Sequence, residues 1–141
     1  MAHDHSHDHN LSPSNQKVLD LLAKSDKPLS AYEILDKLRR FGFRSPPTVY
    51  RALEYLQKHG FIHRLESLNS FVACQHKDDE HEHVSQFALC TSCGSVKELE
   101  DKSLVKIAKK LGQDFLAQVN KEVFELSGIC HTCAANEQAG R

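Results

Sequence analysis

The chain has 141 residues, 40% of them apolar and 26% charged, with a formal net charge of −1, a balance that belongs to a soluble globular protein with one ordinary core or two small ones. No apolar run approaches the roughly 20 residues needed to span a bilayer, and no membrane partner is expected. The small net charge hides an asymmetry: Lys27 to Arg64 holds eight Lys/Arg against three Asp/Glu, whereas Leu65 to Arg141 holds eight against twelve, so two modules with different partners are expected.

A tail over 1–13 comes first, with His3, His5, His7 and His9 at alternate positions. It could deliver zinc or bind it loosely, or be only a disordered polar tail or an expression remnant, and it is assigned no ligand role. It is not basic then apolar, so no secretory signal is expected and a reducing cytoplasmic setting is. There, cysteines in tight pairs are better explained by metal than by disulfides.

Ser14 to Ser25 places Val18, Leu19, Leu21 and Leu22 on one helical face and ends before a turn at Lys27 and Pro28. Ser30 followed by Glu33 is a capping box, and Ile34, Leu35 and Leu38 give a second helix that stops at Gly42 behind a basic end, Arg39 and Arg40. From Arg44 to Gly60 a third helix is expected, with Pro47 in its first turn, Val49, Leu53 and Leu56 as the buried stripe and Gly60 as terminator. Phe61 to Glu66 and Ser70 to Cys74 then read as short strands joined by a turn at Leu68 and Asn69. Three helices and a β-hairpin make a winged helix-turn-helix domain over 14–74.

In such modules the third helix enters the major groove with its N-terminal residues foremost. The candidate DNA contacts are therefore Ser45, Thr48, Tyr50 and Arg51. Arg51 lies off the apolar stripe and could reach a guanine edge, while Tyr50 could donate to a phosphate. The competing reading is a basic helical hairpin that is only a solvated face.

A hinge is expected over 75–83, within the run Cys74-Gln-His-Lys-Asp-Asp-Glu-His-Glu-His83, which is dense in metal-binding groups. For His76, Asp78, Asp79, Glu80 and Glu82 a solvated acidic linker is the better reading. Cys74 and His83 stand at the end of the wing and at the entry to the next module. With His63 on the first wing strand and Glu98 further on, they could make a tetrahedral site of S, N, N and O ligands, although composition alone would not select these four.

Over 84–135 a small α/β dimerisation domain is expected. Val84 to Leu89 and Val96 to Leu99 read as strands flanking a knuckle in which Gly94 permits a tight turn. Leu104, Ile107, Ala108 and Leu111 outline a helix from Lys102 to Gly112, and Gln118 to Leu126 returns as a strand. So small a unit cannot bury much alone, which points to pairing with a second copy. Cys90 and Cys93, then Cys130 and Cys133, form two Cys-x-x-Cys pairs with 36 residues between them. Together they read as one closed zinc site of four cysteine ligands that ties two distant segments. A thioredoxin-like redox pair is the competing reading, but it calls for one such motif at a helix start. A short tail, 136–141, follows, and the fold class is α+β throughout.

Three stretches carry a resemblance: Pro-Pro-Thr-Val-Tyr-Arg-Ala-Leu at 46–53, Gly-Phe-Ile-His-Arg-Leu-Glu-Ser-Leu-Asn-Ser-Phe at 60–71, and Cys90-x-x-Cys93-Gly with Gly128-Ile-Cys130-x-x-Cys133. In this order, across about 14 to 135, the chain closely resembles the ferric uptake regulator family, and most of all its zinc-sensing members. The resemblance implies a homodimeric winged-helix repressor of zinc uptake genes that binds double-stranded operator DNA with zinc as corepressor, with no enzymatic activity and no small-molecule substrate. It also implies two zinc ions per subunit. Cys90, Cys93, Cys130 and Cys133 would hold the structural ion, and His63, Cys74, His83 and Glu98 the regulatory one.

A thiolate at position 74 argues for zinc over iron or manganese. An iron- or peroxide-responsive regulator of the same family is the alternative. The chain lacks a compact His-His-Asp-His run where His81-Glu82-His83 stands, which speaks against a third metal site and leaves His81 as an alternate to His83. From other classes come a zinc-dependent hydrolase built on His63, His83 and Glu98 around an open position, and a structural zinc module that binds another protein.

Overall fold

The computed structural model describes residues 11–74 and 84–139; the His-rich run 3–9, residues 75–83 where a hinge is expected, with His76, His81 and His83, and the last two residues lie outside them. The described chain divides into two compact units, one of 11–25 with 29–74 and one chiefly of 84–139.

In the first unit α1 (Pro13–Lys24) begins one residue earlier than the apolar pattern suggests. Ser12 caps it by accepting the Asn15 N–H at 3.2 Å, and Pro13 occupies the first turn, where its missing N–H costs nothing. The second helix, α2 (Ala31–Leu38), opens on the expected capping box: Glu33 N–H donates to Ser30 Oγ at 3.2 Å and Ser30 N–H to Glu33 Oε1 at 3.3 Å. Past Leu38 the backbone tightens into a 3-10 turn, Arg39–Phe41, and stops at Gly42, whose φ of 95° only glycine adopts cheaply. Two prolines start α3 (Pro46–Lys58), which buries Val49, Ala52, Leu53 and Leu56.

The wing follows as β1 (Ile62–Leu65) and β2 (Ser70–Ala73), antiparallel with Ile62 opposite Ala73 and Leu65 opposite Ser70. Leu29 exchanges two main-chain hydrogen bonds with Phe71, at 3.1 and 2.8 Å, and so fastens the wing to the α1–α2 connection. All three helices and both strands contribute to one core of fourteen buried residues, with Val18, Ile34, Val49 and Leu56 fully enclosed.

The second unit is a three-stranded sheet in the order β4-β3-β5. Central β3 (Val84–Cys90) runs antiparallel to β4 (Val96–Glu98) and parallel to β5 (Glu122–Gly128), from Val84 opposite Glu122 to Cys90 opposite Gly128. A parallel neighbour requires a crossover, and here it carries α4 (Lys102–Gln113). Asp101 caps that helix by accepting the Ser103 N–H at 2.8 Å. Gln86, buried on β3, holds the cap in place: its Nε2 donates to Asp101 O and its Oε1 accepts the Asp101 N–H, both at 3.0 Å.

The second unit differs from the sequence reading in two larger respects. β5 begins at Glu122, not Gln118, because Glu122 meets the first residue of β3 and the chain before it folds back over the end of α4: a Cβ on Gly112 would lie 2.8 Å from Val119 Cγ2. A fifth helix, α5 (His131–Ala139), runs through the stretch read as the end of the second domain and the start of the tail. Its sequence, His-Thr-Cys-Ala-Ala-Asn-Glu-Gln-Ala, has no apolar period to announce it. No helix among the described residues is long and apolar enough to cross a membrane.

Candidate metal centre

The end of β3 and the start of α5 bring the four paired cysteines together. Their sulfurs all lie within 4.8 Å of one another. A tetrahedral ion with Zn–S bonds of about 2.3 Å sets its sulfurs about 3.8 Å apart. Cys90 Sγ is 3.9 Å from Cys133 Sγ, and Cys93 Sγ is 3.9 Å from Cys130 Sγ. The donor set and its spacing therefore fit zinc, with every position of the tetrahedron filled by the chain.

Main-chain bonds build this arrangement. Across the first knuckle Cys90 N–H donates to Ser95 O at 2.9 Å and Gly94 N–H to Cys90 O at 3.0 Å, and Gly94 takes the left-handed φ of 76° that the turn needs. Thr91 ties the knuckle to the end of β5, since its N–H and its hydroxyl both donate to Gly128 O, at 2.8 and 3.2 Å. Parallel pairing of β3 with β5 thus delivers Cys130 beside Cys90, and the first turn of α5 presents Cys133.

The sulfurs differ in setting. Cys90 is buried and accepts the N–H groups of Cys93 at 3.5 Å and Cys130 at 3.3 Å, which hold its thiol down at about 6 against the opposing cost of burial. Cys93 is exposed, and Ser95, through its hydroxyl first and its N–H second, lowers its thiol as well. Ser92 offers Cys133 a hydrogen bond that favours the thiolate, yet the thiol is pushed up to about 12 by Cys130, by burial, and by Cys93 and Cys90. Four sulfurs this close cannot all ionise without a cation among them. Binding a divalent ion here must expel protons, so its affinity falls with acidity.

The other predicted ligands lie on both units. In the first, His63 pairs with Val72 on the wing, and Cys74, just past β2, donates its N–H to Phe61 O at 2.9 Å. Cys74 is two residues beyond Val72, so it shares a face of the hairpin with His63, and their ligating atoms lie within 4.8 Å. In the second unit, Glu98 is half-buried at the end of β4, opposite Phe87. His83 lies outside the described residues.

The candidate DNA contacts all sit at the start of α3. Ser45 is its N-cap position but makes no capping bond; its hydroxyl pairs instead with Thr48 Oγ1 at 3.3 Å. Tyr50 and Arg51 are exposed on the face opposite the buried stripe. Nearby, the exposed ring of Phe41 lies under two cations, Lys17 Nζ at 4.7 Å and the Arg40 guanidinium at 5.0 Å from its centroid. Ser95 and Thr91 are not identifiable as functional residues from the sequence. Their only signal there is position, as hydroxyl residues within and just after a Cys-x-x-Cys pair.

Residues 6–127 match the family model of the ferric uptake regulator family. The zinc uptake regulation protein of Escherichia coli (strain K12) is 38% identical over 128 residues, which cover 90% of this chain and 74% of that protein. Among solved structures, holo XcZur is 42% identical with a TM-score of 0.80, covering 89% of this chain and 86% of its own. A zinc uptake regulator complexed with zinc and DNA is 36% identical with a TM-score of 0.85, covering 94% of this chain and 89% of its own.

Proposed function

The chain belongs to the ferric uptake regulator family, and from that premise we propose that it is a zinc-responsive transcriptional repressor that binds operator DNA as a homodimer. The observation that carries the reading is a centre of four thiols at tetrahedral spacing in a chain so similar to a regulator solved with zinc and DNA. Four protein sulfurs leave a tetrahedral ion no position for water, which suits holding a fold together and not hydrolysis. A DNA-binding regulator of this kind acts in the cytoplasm.

The two units divide the work. Tyr50, Arg51, Thr48 and Ser45 on α3 meet the major groove and its phosphates. The second unit pairs with its counterpart in another copy. Support comes from Ile107, Leu111, Phe115 and Leu126, which are all at least half exposed, and from β5, an edge of its sheet among the described residues.

Cys90, Cys93, Cys130 and Cys133 hold a structural zinc ion, and His63, Cys74, His83 and Glu98 a regulatory one, two per subunit. Bound zinc supplies a tetrahedral centre that accepts thiolate, imidazole and carboxylate together. His63 and Cys74 come from the DNA-binding unit, and His83 and Glu98 from the other side of the hinge. Gathering them into one ligand set favours the conformer competent for DNA, and it does so only as far as those ligands are gathered better in that conformer. The Cys74 thiolate selects zinc over iron or manganese.

The test is Cys74→Ser, with zinc titration followed by operator binding at fixed salt. Operator affinity should fall by about 5- to 150-fold, the ordinary range of allosteric coupling, with the ion of the four-cysteine centre retained and the fold intact. An operator affinity that does not change would remove Cys74 from the regulatory site.

A further inference from the structure

Among the four clustered sulfurs, Cys93 is the exposed one, while Cys90 is buried and Cys130 and Cys133 are half-buried. Cys90 accepts two main-chain N–H groups and Cys130 accepts the N–H of Cys133 at 3.4 Å, so those sulfurs are oriented by backbone that the fold already fixes. At Cys93 the closest partner is a side chain: Ser95 Oγ lies 2.9 Å from Cys93 Sγ. When Cys93 is a thiolate it has no proton to give, so the hydroxyl must be the donor.

Ser95 is held independently of that contact. Its carbonyl accepts the Cys90 N–H at 2.9 Å, which closes the knuckle, and it stands one residue ahead of β4. The hydroxyl is therefore presented to Cys93 by the same turn that positions the ligands.

We propose that Ser95 is a positioning residue of the four-cysteine zinc centre, whose hydroxyl holds the solvent-facing Cys93 thiolate in its ligating position and lowers its reactivity toward electrophiles and competing metal ligands. The physical cause is the one that makes outer-shell partners matter at metal sites in general. A hydrogen bond to a ligand atom fixes its direction and draws charge from it, so the ligand detaches and reacts less readily. Cys93 is the most exposed corner of the centre, and the Ser95 hydroxyl is the side-chain contact made to its sulfur there. The inference rests on the reading that the four cysteines hold zinc.

The experiment uses the full-length zinc-loaded protein and the variants Ser95→Ala, Ser95→Thr and Thr91→Val. Two rates are followed: zinc transfer to a chromophoric chelator, and alkylation of each cysteine by iodoacetamide, read by peptide mass spectrometry. Ser95→Ala should speed both by roughly tenfold, the lower end of what outer-shell partners contribute, with Cys93 labelled ahead of the other three. Ser95→Thr keeps a hydroxyl and should restore the slow rates. Thr91→Val removes a hydroxyl that ties the knuckle to Gly128 O and bonds no sulfur, so any loosening that it causes should not favour Cys93 over the other three cysteines. Equal rates for Ser95→Ala and the parent protein would overturn the proposal. So would acceleration shared evenly by all four cysteines, or matched by Thr91→Val, since either marks a general loosening of the knuckle. A parent protein that carries no zinc at these cysteines by native mass spectrometry would instead break the reading of the four cysteines as a zinc centre.

Discussion

The two units solve the problem of stability in different ways. In the first, every helix and both wing strands feed one core of fourteen buried residues. In the second, α4 buries nothing, Leu111 is 67% and Phe115 92% exposed, and Phe87, Leu89 and Cys90 are the only buried apolar residues among those described. A unit that small cannot offset the entropy of its own ordering by burial. One half of the chain is held by what it encloses, and the other by what it binds.

Removing the metal should break the second unit and spare the first. Structural zinc in small domains contributes on the order of 10 kcal/mol of folding free energy, more than any single side chain. Chelation, or Cys130→Ser, should abolish amide protection across β3, β5 and α5 while α1 to α3 keep theirs, as read by hydrogen exchange with mass spectrometry. Loss of protection in both units together would show that they fold as one. Acid should act in the same direction. Cys90 is lowered to about 6 from an ordinary value near 9, so its thiolate form is favoured in the folded chain, and the stability linked to it is present above 9 and lost as pH falls through about 6. Zinc retention should weaken most steeply as pH falls through and below about 6, where Cys90 itself takes up a proton and is lost as a ligand.

The reciprocal experiment is Leu53→Ala. Leu53 is 2% exposed on α3, and emptying such a site costs about 2–5 kcal/mol. The first unit should melt at lower temperature and operator affinity should drop, while the zinc content of the four-cysteine centre stays constant. Chemical denaturation monitored separately in each unit decides this. A loss of zinc upon Leu53→Ala would mean that the second unit leans on the first.

A third change probes a close approach within the second unit. Gly112 sits near the end of α4, where an added Cβ would stand 2.8 Å from Val119 Cγ2. Gly112→Ala should therefore cost about 1–3 kcal/mol by overpacking, even though alanine is ordinarily the better helix former. Pairing it with Val119→Ala should recover most of the loss. Stabilisation by Gly112→Ala alone would show that the 114–121 segment yields.

The contrast also governs what is legible in the sequence. In the first unit local signals agree with the global fold: Ser30 with Glu33 marks the start of α2, Pro46 and Pro47 the start of α3, and Val49, Leu53 and Leu56 its buried stripe. In the second unit the decisive facts are non-local. That β5 lies parallel to β3 is written in no short stretch, and α5 has no apolar face because its register is set by Cys130 and Cys133 and not by a core. Convergence of the four cysteines is legible, since two Cys-x-x-Cys pairs need a common ion to explain them. The role of Ser95 is not, because a serine after a knuckle is ordinary until its hydroxyl is found against a sulfur.

The smallest expected effect compares the two helix caps. Ser30→Ala removes the α2 capping box and should cost about 1 kcal/mol, with α2 still formed because Ala31, Ile34, Leu35 and Leu38 stay buried beneath it. Asp101→Ala removes a one-sided N-cap from α4, a helix with no buried residue to hold it. Gln86 would still grip the Asp101 backbone and mark where the helix starts, but little would keep its first turn closed. Hydrogen exchange should then show α4 opening locally after Asp101→Ala, whereas Ser30→Ala lowers the protection of its whole unit slightly and evenly. If α2 frays locally as much as α4 does, burial is not what separates the two halves of the chain.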